Sequence, residues 1–260
     1  MRLSHAIVAG ALIAGGCQAA PKAQPGCKDS ACETVIAAEP IQLTAANGVK
    51  VYGSVYRAAK PRALILLFHQ AGSSKDEYAT IAPRLVQAGY SALAIDQRAG
   101  DGLYGKNETA DALGQKADYL DARPDLQAAL DWARQQKLPI ILWGSSYSSS
   151  LIFPLAAKDS QGIIALLSFS PGEYFDSDKH MIATAAAEVR VPVFIASTKG
   201  ELSDADPIMA ALPNTPGNVR FVPDHGVHGS STLIAAKNPE GAQANWTSVF
   251  AFLNRVAPAK

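Results

Sequence analysis

Cysteine is missing from residues 33–260; the three in the chain, Cys17, Cys27 and Cys32, crowd its N-terminal end. A thiolate nucleophile or a cysteine-rich metal site in the body of the protein is therefore excluded. Net charge is missing too, since 23 Lys and Arg stand against 23 Asp and Glu in 260 residues. No long-range field of one sign draws the molecule to nucleic acid or to an anionic lipid surface. Nor is there an HExxH, a paired CxxC or a GxxxxGK[ST] string, so nothing points to zinc or to a nucleotide phosphate. The expectation is chemistry run by side chains and backbone alone, without metal or cofactor.

What the chain does have is apolar mass, 48% of its residues, enough for the core of one large α/β domain. Its first residues differ from the rest. Arg2 supplies a positive start, Ala6 to Ile13 form a short apolar stretch, and Gly15-Gly16 precedes Cys17. This reads as an export signal, too short to span a bilayer as a permanent helix. The small-small-Cys ending resembles the processing box of bacterial lipoproteins, although Ala14 stands where that box more often has Leu. The resemblance implies a lipid on Cys17 and a place on the periplasmic side of the cell envelope; without the lipid, the same segment implies a secreted or periplasmic protein. Cys27 and Cys32 then remain as an even pair in an oxidising compartment, able to close a small loop. The expected organisation is a signal at 1–16, a flexible Ala, Pro, Gln and Lys-rich tether at 17–40, and a folded domain at 41–260.

Within that domain, Ile41 to Tyr56 reads as a hairpin turning at Asn47-Gly48, a pair that tolerates positive φ. Six continuous apolar runs follow, at 63–68, 91–95, 139–144, 163–169, 191–197 and 219–222. Such runs mark strands covered on both faces, as in a parallel sheet with crossover helices. Between them, Tyr78 to Gln87 suggests a helix, Leu126, Leu130 and Ala133 repeat at helical spacing behind Pro124, and Trp246, Val249, Phe250 and Leu253 give a closing amphipathic helix. Only about twenty residues separate Phe169 from Val191, which leaves little room for a lid.

The string LWGSSYSSS at 142–150 runs a buried strand into the tight turn Gly144-Ser145-Ser146-Tyr147-Ser148 and on toward a helix. Here the chain resembles the α/β-hydrolase superfamily, in particular its lid-less esterases and dienelactone-hydrolase-like members. In their Gly-x-Ser-x-Gly elbow, small flanking residues let strand and helix approach and leave the serine hydroxyl exposed. Ser146 takes the nucleophile's place, and Ser148 departs from the pattern where a glycine is usual. A serine needs an imidazole to take its proton. Of the five histidines, His5 belongs to the signal, His69 comes too early and His180 lies in the connecting segment before the penultimate strand. His225 and His228 remain, and Gly226-Val227-His228-Gly229-Ser230 looks like the family's His-Gly loop after its last strand, which favours His228. The third member is expected after the run 191–197. The family's usual Gly-x-x-Asp turn is not there; Gly200-Glu201 is, with Asp204 and Asp206 beyond. Glu201 is preferred, then Asp204, then Asp206, which precedes Pro207 and could be a helix N-cap.

The same resemblance implies an α/β fold with a mostly parallel central sheet, an antiparallel N-terminal hairpin, helices on both faces and no large lid. In the string LLFHQAGSS at 66–74, it implies an oxyanion hole from the backbone N–H of Gln70 paired with that of Tyr147. His69 is then a structural residue shaping this loop, and Asp96-Gln97-Arg98 braces loops. Tyr104, Tyr147, Tyr174 and Phe175 either line an apolar pocket or simply pack. The implied activity is a carboxylic-ester hydrolase working through an acyl-enzyme on a small-molecule ester or amide. A peptidase or amidase on the same fold, and a non-catalytic envelope binding or scaffold protein, are the alternatives.

Overall fold

A computed structural model describes residues 36–259 except Ser177. The signal and tether readings, with Cys17, Cys27 and Cys32, lie outside the described residues. The hairpin forms first, β1 (Glu39–Thr44) and β2 (Lys50–Tyr56) pairing antiparallel, with Gly48 at φ 83° in the turn. β1 begins slightly before the expected boundary at Ile41. The apolar runs become β3 (Leu64–Phe68), β4 (Ser91–Ile95), β5 (Ile140–Ser145), β6 (Ile163–Phe169), β7 (Val193–Ala196) and β8 (Val219–Phe221). They join one eight-stranded sheet in the order β1-β2-β4-β3-β5-β6-β7-β8. β2 meets β4 antiparallel, and every pairing from β4 through β8 is parallel.

The runs are continuous because both sheet faces are covered. In β3, Leu64, Leu66 and Phe68 enter one core layer, while Ile65 and Leu67, pointing the other way, enter the second. The first layer is closed by α3 (Arg123–Gln135), α4 (Tyr147–Lys158), α5 (Met181–Ala186) and α6 (Leu202–Ala211). The second is closed by α1 (Ile81–Gln87) and α7 (Ala242–Val256). A sixth crossover helix, α2 (Glu108–Leu113), follows β4. Tyr78 begins no long helix: a short 3-10 turn at Lys75–Tyr78 precedes α1. Among the described residues, the segment from Phe169 to Val191 holds the six-residue α5 and no other helix.

The architecture fixes where chemistry can occur. Parallel strands all release their C-terminal ends along one edge of the sheet, and the loops leaving that edge meet there. The loops after β3, β5, β6, β7 and β8 contain His69–Ser74, Ser146, Ser170, Glu201 and His228 in turn.

Candidate active site

Ser146 joins β5 to α4 at φ 59° and ψ −126°, outside the comfortable range of a residue with a β-carbon. Such a conformation costs about 1–3 kcal/mol and persists only where its surroundings impose it. The surroundings are tight: a β-carbon on Gly144 would lie 2.4 Å from Ser149 Cα and 2.5 Å from its N, so the strand can turn back onto its own helix only with glycine there. Ser148 occupies the position where the family pattern has glycine. Its buried hydroxyl accepts from Ser145 N–H at 3.0 Å and donates to Phe68 O at 2.7 Å, stitching the elbow to the end of β3. The departure thus adds a brace and leaves the turn intact.

Glu201 follows β7 in a short 3-10 turn, and its Oε1 lies 2.6 Å from His228 Nδ1. Its Oε2 accepts from Thr198 N–H at 2.8 Å and from the Ser170 hydroxyl at 2.9 Å. Burial alone would raise this carboxyl; the hydrogen bonds from His228, Thr198 and Ser170 override it and hold the group at about 2. It is ionised throughout the neutral range and fixes the proton of the imidazole on Nδ1, leaving Nε2 to accept. Asp204 is exposed, and Asp206 is paired with Arg220 at 2.6 Å. His225 points elsewhere, toward Glu240 at 3.1 Å.

The loop carrying His228 is docked directly onto the elbow. Gly229 N–H donates to Ser170 Oγ at 2.9 Å, and Ser230 N–H donates to Ser145 Oγ at 2.9 Å. Gly229, at φ 66°, has Ser145 Oγ 2.5 Å from where a β-carbon would sit. From below, Trp143 Nε1 donates to Ser230 Oγ at 2.9 Å. Asn245 of α7 bonds to the carbonyls of His225 and Thr232. Among the described residues no hydrogen bond joins Ser146 Oγ to His228. A nucleophile–base contact of this kind commonly tightens only when substrate is bound. The Tyr174 hydroxyl donates to Ser170 O at 2.7 Å, and burial and the Glu201 charge push it up to about 12.

One expectation is corrected here. Gln70 N–H is not available to an oxyanion, because it donates to Glu77 Oε2 at 2.8 Å. Ala71 N–H, one residue on, has no partner among the described residues. Phe68 is paired with Gly144 across β3 and β5, so Ala71 and Tyr147 each stand three residues beyond the same rung. Tyr147 N–H opens α4, where helix geometry provides no internal acceptor. His69 is wholly buried and pushed down to about 4 by that burial. Its ring lies 2.8 Å from Gln70 O and accepts from Gln97 N–H at 2.9 Å, a structural part. Arg98 meets Asp125 at 2.6 Å, and Asp96 receives Lys75 at 2.9 Å, so this turn braces loops. Of the four aromatic candidates, Tyr147 and Phe175 are core residues, Tyr104 bonds to Ser231, and Tyr174 donates to Ser170 O. Sequence reasoning missed Glu77, Ser145, Ser170 and Thr198.

A cavity of about 520 Å³ between α3 and α4, walled by Leu126, Leu151 and Leu155, includes none of Ser146, Glu201 and His228. Among the described residues no cluster of His, Cys, Asp and Glu is arranged to hold a metal ion, and no helix is long and apolar enough to cross a membrane.

Residues 59–207, more than half of the chain, match the model of the hydrolase family described as serine aminopeptidase, S33. The chain belongs to this family. No curated protein matches the sequence. Among solved structures, an esterase of Pyrococcus furiosus is similar at TM-score 0.67 and 17% identity, over 88% of this chain and 96% of that one. A thermostable carboxyl esterase of Bacillus coagulans is similar at 0.65 and 13%, over 86% and 100%. A dienelactone hydrolase of Anabaena variabilis is similar at 0.56 and 20%, over 72% and 85%. At these identities the likeness establishes the α/β-hydrolase fold, and the S33 match establishes the hydrolase family.

Proposed function

We propose that this S33 hydrolase cleaves carboxylic esters through an acyl-enzyme, with Ser146 as nucleophile, His228 as base and Glu201 as the acid that holds the base. The observation that carries the reading is the His228–Glu201 pair, docked through its own loop onto the residue preceding a strained serine. Ser146 Oγ attacks the acyl carbon while its proton passes to His228 Nε2, and Glu201 stabilises the imidazolium. The N–H groups of Tyr147 and Ala71 receive the developing alkoxide, each such donor being worth about 10²–10³ in rate. His228 then protonates the leaving alcohol, and a water molecule, deprotonated by the same ring, releases the acid and regenerates Ser146.

The family's description supports a second reading, amide cleavage at a peptide N-terminus, on the same machinery. One experiment separates the possibilities: fluorophosphonate labelling of the full chain, followed by turnover of p-nitrophenyl acetate and butyrate against aminoacyl p-nitroanilides. Labelling lost in both Ser146→Ala and His228→Ala, with turnover of the esters alone, is the expected result. Turnover of the anilides alone would make the protein a peptidase. A folded wild type that neither labels nor turns over would make it a binding or scaffold protein. The residues at 2–17 further support export to the bacterial cell envelope and a lipid on Cys17.

A further inference from the structure

Glu77 is a carboxyl with no exposed surface, close to reacting groups yet with no part in the acyl transfer set out above. It lies in the 3-10 turn after β3 and its two oxygens reach two different loops. Oε2 accepts Gln70 N–H at 2.8 Å, and Oε1 accepts the Ser145 hydroxyl at 2.6 Å. That same Ser145 oxygen accepts Ser230 N–H at 2.9 Å. The chain of bonds therefore runs from the loop bearing Ala71, through Glu77, to the residue before Ser146, and on to the residue two beyond His228. Ser145 Oγ donates its one proton to Glu77 and accepts from Ser230 through a lone pair, so the bond to Glu77 holds the hydroxyl turned with that lone pair toward Ser230.

We propose that Glu77 is a positioning residue that locks the loop after β3, the Ser146 elbow and the His228 loop into one arrangement, with Ser145 Oγ as the relay. The proposal rests on the acyl-transfer reading for its consequence in rate, and on geometry alone for the lock itself. Burial pushes the Glu77 carboxyl up to about 7, against the opposing bonds of Ser145, Gln70 and Ser73 and the charge of His228. The other titratable groups facing it, Tyr78, Tyr104 and Tyr147, are all pushed up as well, burial being the largest cause, and stay neutral. The two donors, the Ser145 hydroxyl and Gln70 N–H, are both met in full by the ionised carboxylate, which is acceptor-only, and their bonds are what oppose the burial. In Glu77→Gln the amide keeps the volume but offers N–H where one of the two donors requires an acceptor.

The test uses the full chain as wild type, Glu77→Gln and Ser145→Ala. Amide hydrogen exchange at Ser230 should quicken by about tenfold or more in both variants, although Ser230 does not touch Glu77. Gln70 exchange should quicken in Glu77→Gln only. With ester substrate, kcat should fall by about tenfold or more in both while KM stays within about twofold, the pattern of lost transition-state alignment. Unchanged exchange at Ser230 in Glu77→Gln would overturn the lock whatever the rates do. Should the wild type show no turnover, the acyl-transfer reading falls and the exchange data still decide the lock. If Glu77→Gln fails to fold, Ser145→Ala carries the test, since it leaves Glu77 and Gln70 in place.

Discussion

At the scale of single residues, the site is organised by backbone positions that few side chains tolerate and by carboxyls whose proton affinities are moved in opposite directions. Ser146 stores strain that glycine would not feel. Ser146→Ala should abolish turnover with little change in stability, whereas Ser146→Gly should abolish turnover and raise stability by about 1 kcal/mol; urea unfolding of the two variants measures the difference. Glu201 and Glu77 predict opposite effects of pH on unfolding. For Glu201, held at about 2, the stabilisation is complete above the unfolded value near 4.5 and is lost as pH falls toward 2. For Glu77, pushed up to about 7, the stabilisation belongs to the protonated form: it is complete below 4.5 and is lost as pH rises through 7. Thermal melts should therefore show Glu201→Gln converging on wild type at the acid end. Glu77→Gln should gain on wild type between pH 5 and 8. The resemblance pointed to Glu201 ahead of Asp204 because, counted back from Leu212 along the following helix, it stands where the family's acid falls; in the structure Glu201 meets His228 and Asp204 is exposed. Gln70 was misread for a physical reason. Which of two adjacent N–H groups is free depends on an acceptor seven residues further on, and no local pattern announces that Glu77 turns inward.

At the scale of elements, the strands were legible because burial on both faces leaves continuous apolar runs, and the long helices because their apolar positions recur every third or fourth residue. The six-residue α2 and α5 were not, since fewer than two turns give no repeat to read. The β5–elbow–α4 unit is the element on which function depends most. Its two halves approach so closely at Gly144 that Gly144→Ala should push α4 away from β5, costing about 1–3 kcal/mol and about 10²-fold in ester turnover. Normal activity in a folded Gly144→Ala protein would show that the close approach does not matter to the site. Trp143, on the same strand, stacks on Phe169 with ring centroids 4.7 Å apart while its N–H holds Ser230. A single core side chain thus supports both the sheet and the His228 loop.

At the scale of the whole molecule, the sheet gathers the chemistry at one edge. The C-terminal ends of the parallel strands carry every group assigned to the reaction, and the β1–β2 turn lies at the same edge, its Asn47 accepting from Arg98 in the loop after β4. The proposed attachment at Cys17 predicts that the full chain partitions with membranes and that Cys17→Ser releases it in active form; a soluble wild type would remove the anchor. The first strand was legible to within a few residues, since alternation begins abruptly there and β1 starts at Glu39.

The docking of α7 onto the histidine loop bears on the life of the chain as it is made. Ser146 follows β5, the third strand of the parallel set, but among the described residues the carbonyls of His225 and Thr232 have their amide donors on Asn238 and on Asn245 of the final helix, and Trp246 holds Leu233 O at 2.9 Å. On the proposed mechanism, a chain that has not yet placed this helix carries Ser146 without a fixed base, and competence arrives only when the last turns of the chain fold back against the sheet.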